Sequence, residues 1–392
     1  MGESSEYTAP CPAEIITGHR KFSIGLPRCC NSNEQRFPLT PEGAEVLADR
    51  GFNIFIEKGA ASAIHYPDSR YASHGANMVS RREALQCDIV IHLAPPEPSD
   101  IRMMRRGAVL LTLLHPESQN KEIMLALIER GIISVALDLV RDETGHRPFA
   151  DILSEIDGRA AMAIASSLLA DAVTGKGILL GGVAGLMPCE VTIIGAGIAG
   201  MAAARSASGL GSIVRMFDSN VYRLRAAIRE LGPQIIGSAL HPSAVAKALT
   251  TADVVIVTDT DQLPPFNSDV VARMKTGVIT FDLSEREGAT FPSLPTVNLS
   301  KARPCDNNGD GNRVCYIHAG SAVPRTAAMA LSNTLITMLG ELITLEGVTN
   351  ALKLSPGIQC AVFTFLGKIT NARIASMIGM RHMDIKLILQ FS

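Results

Sequence analysis

The chain predicts an α/β fold of the doubly wound kind, and three observations carry the prediction. Short apolar runs alternate with helical patterns from Lys21 to about Val140. A strand, a glycine turn, a small-residue helix, a second strand and an acid follow one another between Pro188 and Asn220. The 392 residues exceed what one core ordinarily holds, so two domains are expected. Strands alternating with helices imply a parallel sheet covered on both faces.

Taken in order, Phe22–Leu26, Asn53–Glu57, Asp88–Leu93, Ala108–Leu114 and Ile132–Leu137 read as strands. Pro41–Arg50, Ser99–Arg105 and Asn120–Arg130 read as helices, the first entered through Thr40 and a proline at the first helical position. A long helix rich in alanine is expected over Asp151–Thr174, with Ser154 and Asp157 at capping-box spacing near its start. It bridges into a second unit that holds the glycine turn and further strands at Val254–Val257 and Gly277–Phe281. Asp306–Asn312 reads as a surface loop, and an apolar helix, Thr326–Leu345, crosses back to the first domain with the tail packing there.

Composition narrows the function. With 47% hydrophobic and 19% charged residues the chain is a well-buried globular protein. A net charge of −2 supplies no bulk attraction to nucleic acid or acidic membranes. The clusters Arg81-Arg82 and Arg102 with Arg105-Arg106 lack interleaved aromatics and read as solvated helix faces. The eight cysteines form no CxxC and no zinc spacing, so no metal is expected and the thiols read as reduced, in a cytoplasm. The polar N-terminus is not a signal peptide, and no apolar run reaches the length of a membrane span.

The sharpest signal is Gly195-Ala196-Gly197-Ile198-Ala199-Gly200. The first glycine of such a turn permits the bend, the second lets backbone approach a pyrophosphate, and the third lets helix and strand pack closely. The helix N-terminus then presents unpaired amides and a partial positive charge to phosphate. Asp218 closes the second strand about 20 residues on, placed to accept hydrogen bonds from a ribose 2′-hydroxyl. An acid there repels a 2′-phosphate, so the expected cofactor is NAD and not NADP. A bare glycine motif also occurs in ordinary turns; the ordered set of five pieces favours the cofactor.

In sequence order, NEQRFPLTP, LLTLLHP, LSEIDGR, KGILLGGVAG and IIGAGIAG resemble the alanine dehydrogenase and transhydrogenase alpha-subunit family. The resemblance spans nearly everything from Lys21 to the C-terminus, including the tail from NALKLSPGI to DIKLILQF, and lies closest to the alanine dehydrogenase branch. It implies two Rossmann-like doubly wound domains with the active site in the cleft between them. Residues 1–150, completed by 325–392, would be the substrate domain, and 151–324 the NAD-binding domain. The implied reaction is oxidative deamination of L-alanine to pyruvate and ammonia. The partners are then an amino or keto acid and further copies of the chain.

Residue by residue, Arg36 matches the family's substrate-binding arginine, a guanidinium suited to a carboxylate. On spacing alone, a surface arginine paired with Glu34 is an equal reading. His115, at the end of an apolar strand, matches the catalytic histidine, and imidazole exchanges protons near neutral pH. Ser154 matches a serine that touches the dinucleotide, and Arg223 falls where some members carry a basic residue near the adenosine. Asp259 and Thr260 fall in a loop bordering the nicotinamide half.

Three departures stand out. Many members carry Lys-x-Lys where this chain has His92 and Ala94, which makes His92 a substrate-side candidate. In the run Phe281–Ala289, Asp282 survives but Arg286 replaces the second acid, and His318 replaces an asparagine near the nicotinamide. These changes keep two alternatives open: a homologue that binds NAD without turnover, and a transhydrogenase-type nucleotide-binding subunit.

Overall fold

A computed structural model of the chain describes residues 22–29, 34–116, 119–258, 264–284, 287–302, 313–344 and 348–390. It contains two sheets. The first is built from β1 (Ser23–Leu26), β2 (Asn53–Glu57), β3 (Asn77–Val79), β4 (Ile89–Ile91), β5 (Val109–Thr112) and β6 (Ile133–Ala136). The second comprises β7 (Glu190–Ile194), β8 (Ile213–Asp218), β9 (Ile235–Ala239), β10 (Val254–Val257), β11 (Ile279–Asp282), β12 (Thr296–Asn298) and β13 (Cys315–Ile317). The chain then returns, and β14 (Val362–Phe365) and β15 (Lys368–Ile369) join the first sheet.

The strand orders are β15-β14-β6-β5-β4-β1-β2-β3 and β12-β13-β11-β10-β7-β8-β9. Pairing is parallel throughout, except that β14 runs antiparallel to β6 and β15 antiparallel to β14. The central strands β4, β5, β10 and β11 are buried on both faces, successive side chains entering opposite cores. Ile89 and Ile91 enter one core while Val90 enters the core on the opposite face. Val254 and Ile256 separate from Val255 and Val257 in the same way in the second sheet.

The long helix runs Pro148–Ala170, three residues earlier at its start and four at its end than the sequence reading. Pro148 supplies the first helical position, so Ser154 lies in the second turn and caps nothing; the capping-box reading of Ser154 and Asp157 is corrected. The alanines have a packing reason. This helix lies against Ile198–Gly209, and Ala161, Ala165, Ala203, Ala204 and Ala207 are all fully buried. A Cβ on Gly158 would sit 2.1 Å from the Ala199 carbonyl oxygen, so that crossing admits no side chain.

Arg81 also departs from expectation. It is three-quarters buried, pairs with Asp100 and Glu57, and donates to the Arg28 carbonyl, so it ties the edge of the first sheet together. The short strands β3, β9, β12 and β13 and the helices Asp68–Ser73 and Pro242–Thr251 were absent from the sequence reading. The Asp306–Asn312 loop lies outside the described residues.

Candidate functional site

β7 is central in the second sheet, with β10 on one side and β8 on the other, so its carboxyl end is the switch point where open α/β sheets bind ligands. The glycine turn occupies that point. Gly195 takes φ 106°, a left-handed value that favours glycine, and its amide donates to the Phe217 carbonyl at 2.7 Å. Gly197 is the N-cap of Ile198–Gly209 and offers no side-chain partner to the first-turn amides. A Cβ on Gly197 would meet nothing within 4 Å, whereas one on Gly200 would lie 1.9 Å from the Gly195 carbonyl oxygen. The middle glycine faces open space in front of unpaired amides and the third is held by packing, a cradle that fits a pyrophosphate.

Asp218 ends β8 with its side chain fully buried. Its Oδ2 accepts from the Ala196 amide at 2.6 Å and from Arg223 Nε at 2.8 Å. Its Oδ1 accepts from the Asn220 amide at 2.7 Å and from Arg223 Nη2 at 3.0 Å. Burial acts to raise the carboxyl, but Arg223 and the two amides outweigh it and hold the group below its usual range. The structure thus joins two sequence-derived candidates in one bidentate pair. Ser154 stands one turn before Gly158 on the same face of the long helix.

The substrate-side candidates gather at the carboxyl ends of β1 and β4. Arg36 is buried, and Glu34 accepts from its Nε at 2.8 Å and from Nη2 at 2.6 Å. The pairing with Glu34 is therefore present, but in the interior and not on the surface. Next to it the Gln35 side chain donates to the Ser300 carbonyl, beyond β12 in the other sheet. Glu34, Arg36 and His92 line one cavity of about 650 Å³, with Arg28, Cys29 and Ser62. His92 follows β4 directly; its Nδ1 is bonded to the Ala94 carbonyl, and its buried Nε2 has no hydrogen-bond partner among the described residues. Burial pushes the imidazole below its usual value despite that bond.

His115 lies just past the adjacent strand, β5, at φ 38°, a strained conformation for a residue with a side chain. It is half-buried, its Nε2 has no partner among the described residues, and it does not line the Arg36 cavity. Two groups brace its loop. The Leu114 amide donates to Asp138 Oδ1 at 2.8 Å, and Gln119 donates to the Leu114 carbonyl at 2.7 Å. Burial raises the Asp138 carboxyl, partly offset by that amide and by His115 nearby. Asp138 was missed in the sequence; the signal available was an acid one residue past an apolar strand, at the same sheet edge as His115. Asp282 closes β11, while Asp259, Thr260 and Arg286 lie outside the described residues.

These features define a two-sheet α/β protein with a dinucleotide turn on one sheet and a polar cavity at the carboxyl ends of the other. Family models for the N-terminal and C-terminal domains of alanine dehydrogenase/PNT match residues 25–156 and 161–372. The chain belongs to the alanine dehydrogenase/PNT family. It is 29% identical over 374 residues to alanine dehydrogenase 2 of Staphylococcus aureus, covering 94% of this chain and 100% of that protein. Among solved structures, an L-alanine dehydrogenase superposes with a TM-score of 0.79 at 25% identity over 90% of this chain and 98% of its own. A transhydrogenase from Sinorhizobium meliloti shares the fold, with a TM-score of 0.71 at 19% identity over 88% and 99% of the two chains.

Proposed function

We propose that this protein is an NAD-dependent dehydrogenase of a small L-amino acid, converting L-alanine, NAD and water to pyruvate, ammonia and NADH. The observation that carries the reading is the pairing, in one chain, of the open glycine cradle and Asp218 with the Arg36–His92 cavity and His115. Residues 1–150 with 325–392 form the substrate domain in this reading, and 151–324 the NAD domain.

Gly195, Gly197, Ile198, Ala199 and Gly200 receive the diphosphate on backbone amides, with Asp218, Arg223 and Ser154 serving the adenosine side and Asp259 and Thr260 the nicotinamide side. When bound, NAD supplies the hydride acceptor. Arg36 binds the substrate carboxylate, with Glu34 fixing the plane of the guanidinium that the two carboxylates share. His115 takes up and returns the proton at Nε2 as the amine is oxidised and water is added. His92, neutral at physiological pH, can only accept a hydrogen bond at Nε2, because its Nδ1 proton is committed to Ala94.

Reduced cofactor should appear, followed by absorbance, when the protein meets L-alanine and NAD, and the His115→Ala variant should give none. A second reading rests on His92 and Ala94: the cavity has no ammonium at these positions, which suits a homologue that holds NAD without turnover. Binding of NADH without turnover of any amino or keto acid would favour it over the first. A transhydrogenase-type subunit role would require a membrane partner, and among the described residues no helix is long and apolar enough to cross a membrane.

The partners in this reading are small molecules and further copies of the chain, not nucleic acid. The segment after the long helix exposes Val173, Leu179, Leu186 and Met187 at 91, 67, 69 and 83%, a run of apolar surface suited to burial against a second copy. Leu186→Asp should shift a self-associated protein toward the monomer in light scattering.

A further inference from the structure

We propose that His92 makes the substrate cavity select an α-amino acid over the corresponding keto acid, because it offers the ligand's α-substituent an acceptor and no donor. The inference rests on the substrate reading of the Arg36 cavity. His92 is 4% exposed and lines that cavity of about 650 Å³ together with Ile91 and Leu93. The two edges of its ring are not equivalent. Nδ1 is bonded to the Ala94 carbonyl, and a carbonyl only accepts, so the proton of the neutral ring sits on Nδ1. Ala94 is not among the residues that line the cavity, so the ring edge left for the cavity is the one that carries Nε2. Nε2 is buried, has no hydrogen-bond partner among the described residues, and holds a lone pair. Burial disfavours a second proton on the ring, so Nε2 stays an acceptor.

An amino acid and its keto acid share the carboxylate, so a guanidinium that binds one binds the other. They differ at the α-position. Alanine carries an ammonium there, with N–H donors for Nε2, whereas pyruvate carries a carbonyl oxygen that can only accept. An acceptor buried against another acceptor gives up its hydrogen bond to water and gains none in return. A site built around such a group rejects the analogue that lacks the donor. Glu34 lines the cavity as well, but both of its carboxylate oxygens already accept from Arg36, so the open acceptor is Nε2. The bond is present with the substrate of deamination and absent with its product, which favours product release. The overall equilibrium belongs to the reaction and is unchanged; the difference shows in the two affinities.

The test is calorimetric titration of L-alanine, L-lactate and pyruvate into the full-length protein saturated with NADH. Ammonia-free buffer keeps reductive amination from proceeding. Lactate carries a hydroxyl donor at the α-position without a charge, which separates hydrogen bonding from electrostatic attraction. L-Alanine and L-lactate should each bind at least about tenfold more tightly than pyruvate. His92→Lys, which supplies donors only, should tighten pyruvate and weaken L-alanine, each by about tenfold. His92→Gln, whose amide can present either its oxygen or its nitrogen, should bring the three ligands to within about threefold of one another. Thermal melting confirms which variants are folded, and either one suffices. Pyruvate binding the wild type as tightly as L-alanine, or an unchanged order in a folded variant, would overturn the proposal; NADH formation from L-alanine and NAD would then leave the dehydrogenase reading standing. Selective binding of L-alanine and L-lactate without turnover would support the proposal and overturn the dehydrogenase reading. Binding of none of the three would overturn the proposal and the substrate reading of the cavity together.

Discussion

The Gly320 amide donates to Asp157 Oδ1 at 2.7 Å, joining the long helix Pro148–Ala170 to the loop that follows β13. Because His318, two residues earlier, sits at φ 59°, this bond holds a strained turn at a strand end of the second sheet. A Cβ on Gly320 would come within 2.3 Å of Asp157 Oδ1. Gly320→Ala should therefore lose about 1–3 kcal/mol in urea denaturation. Asp157→Ala, which orphans the amide, should lose about 1–2 kcal/mol.

The glycine turn separates folding from binding. Gly197→Ala meets no neighbour and should leave the urea midpoint nearly unchanged while weakening NADH binding by tenfold or more, roughly the cost of one displaced phosphate contact. Gly200→Ala collides with the Gly195 carbonyl and should destabilise the fold by about 2 kcal/mol or more. Equal effects of the two substitutions on stability would contradict the cradle.

His115 at φ 38° predicts opposite effects on stability and turnover. His115→Gly should relieve the backbone and raise stability by about 1 kcal/mol, while abolishing amino-acid oxidation. Denaturation and an NADH assay on one preparation would show both.

One buried and one half-buried group predict pH dependence of opposite sign. His92 has a lowered pKa in the folded protein, so the unfolded chain binds its proton first, and the associated stability is lost as pH falls below about 6.5. Asp138 has a raised pKa, so its contribution is present below the unfolded value of about 3.9 and is lost as pH rises through the folded value. His92→Leu should flatten the acid limb of a stability profile. Asp138→Asn, which keeps the acceptor for the Leu114 amide, should be more stable than wild type at pH 7.

The buried Glu34–Arg36 pair should be costly to break from one side. Glu34→Ala leaves a guanidinium buried without that carboxylate and should lose about 3 kcal/mol or more in denaturation. If Arg36 also receives the substrate, the surviving folded fraction should show a raised KM with a smaller change in kcat.

Local pattern carried much of the architecture. Strands β1, β2, β4, β5 and β6 of the first sheet were legible as apolar runs, and Thr40 with Pro41 marked the first helix through a cap that is present, the Gly43 amide donating to Thr40 Oγ1. Short or half-exposed strands such as β9, with two exposed residues among five, carried too little apolar signal to be seen. Ser154 misled because capping-box spacing also occurs inside a helix when a proline upstream has already started it.

By itself the sequence determined the alternation of strands and helices, the glycine turn with its terminal acid, and which residue types could serve a dinucleotide and a carboxylate, because these depend on order and spacing along the chain. Only the tertiary structure decided that Arg223 covers Asp218, that Arg36 is buried against Glu34, that Asp138 braces the His115 loop, and that β14 and β15 complete the first sheet. The physical reason is distance. A hydrogen bond or ion pair forms between atoms within about 3 Å in space, however far apart they lie in the chain, so its partners become known only when strands and helices are brought together.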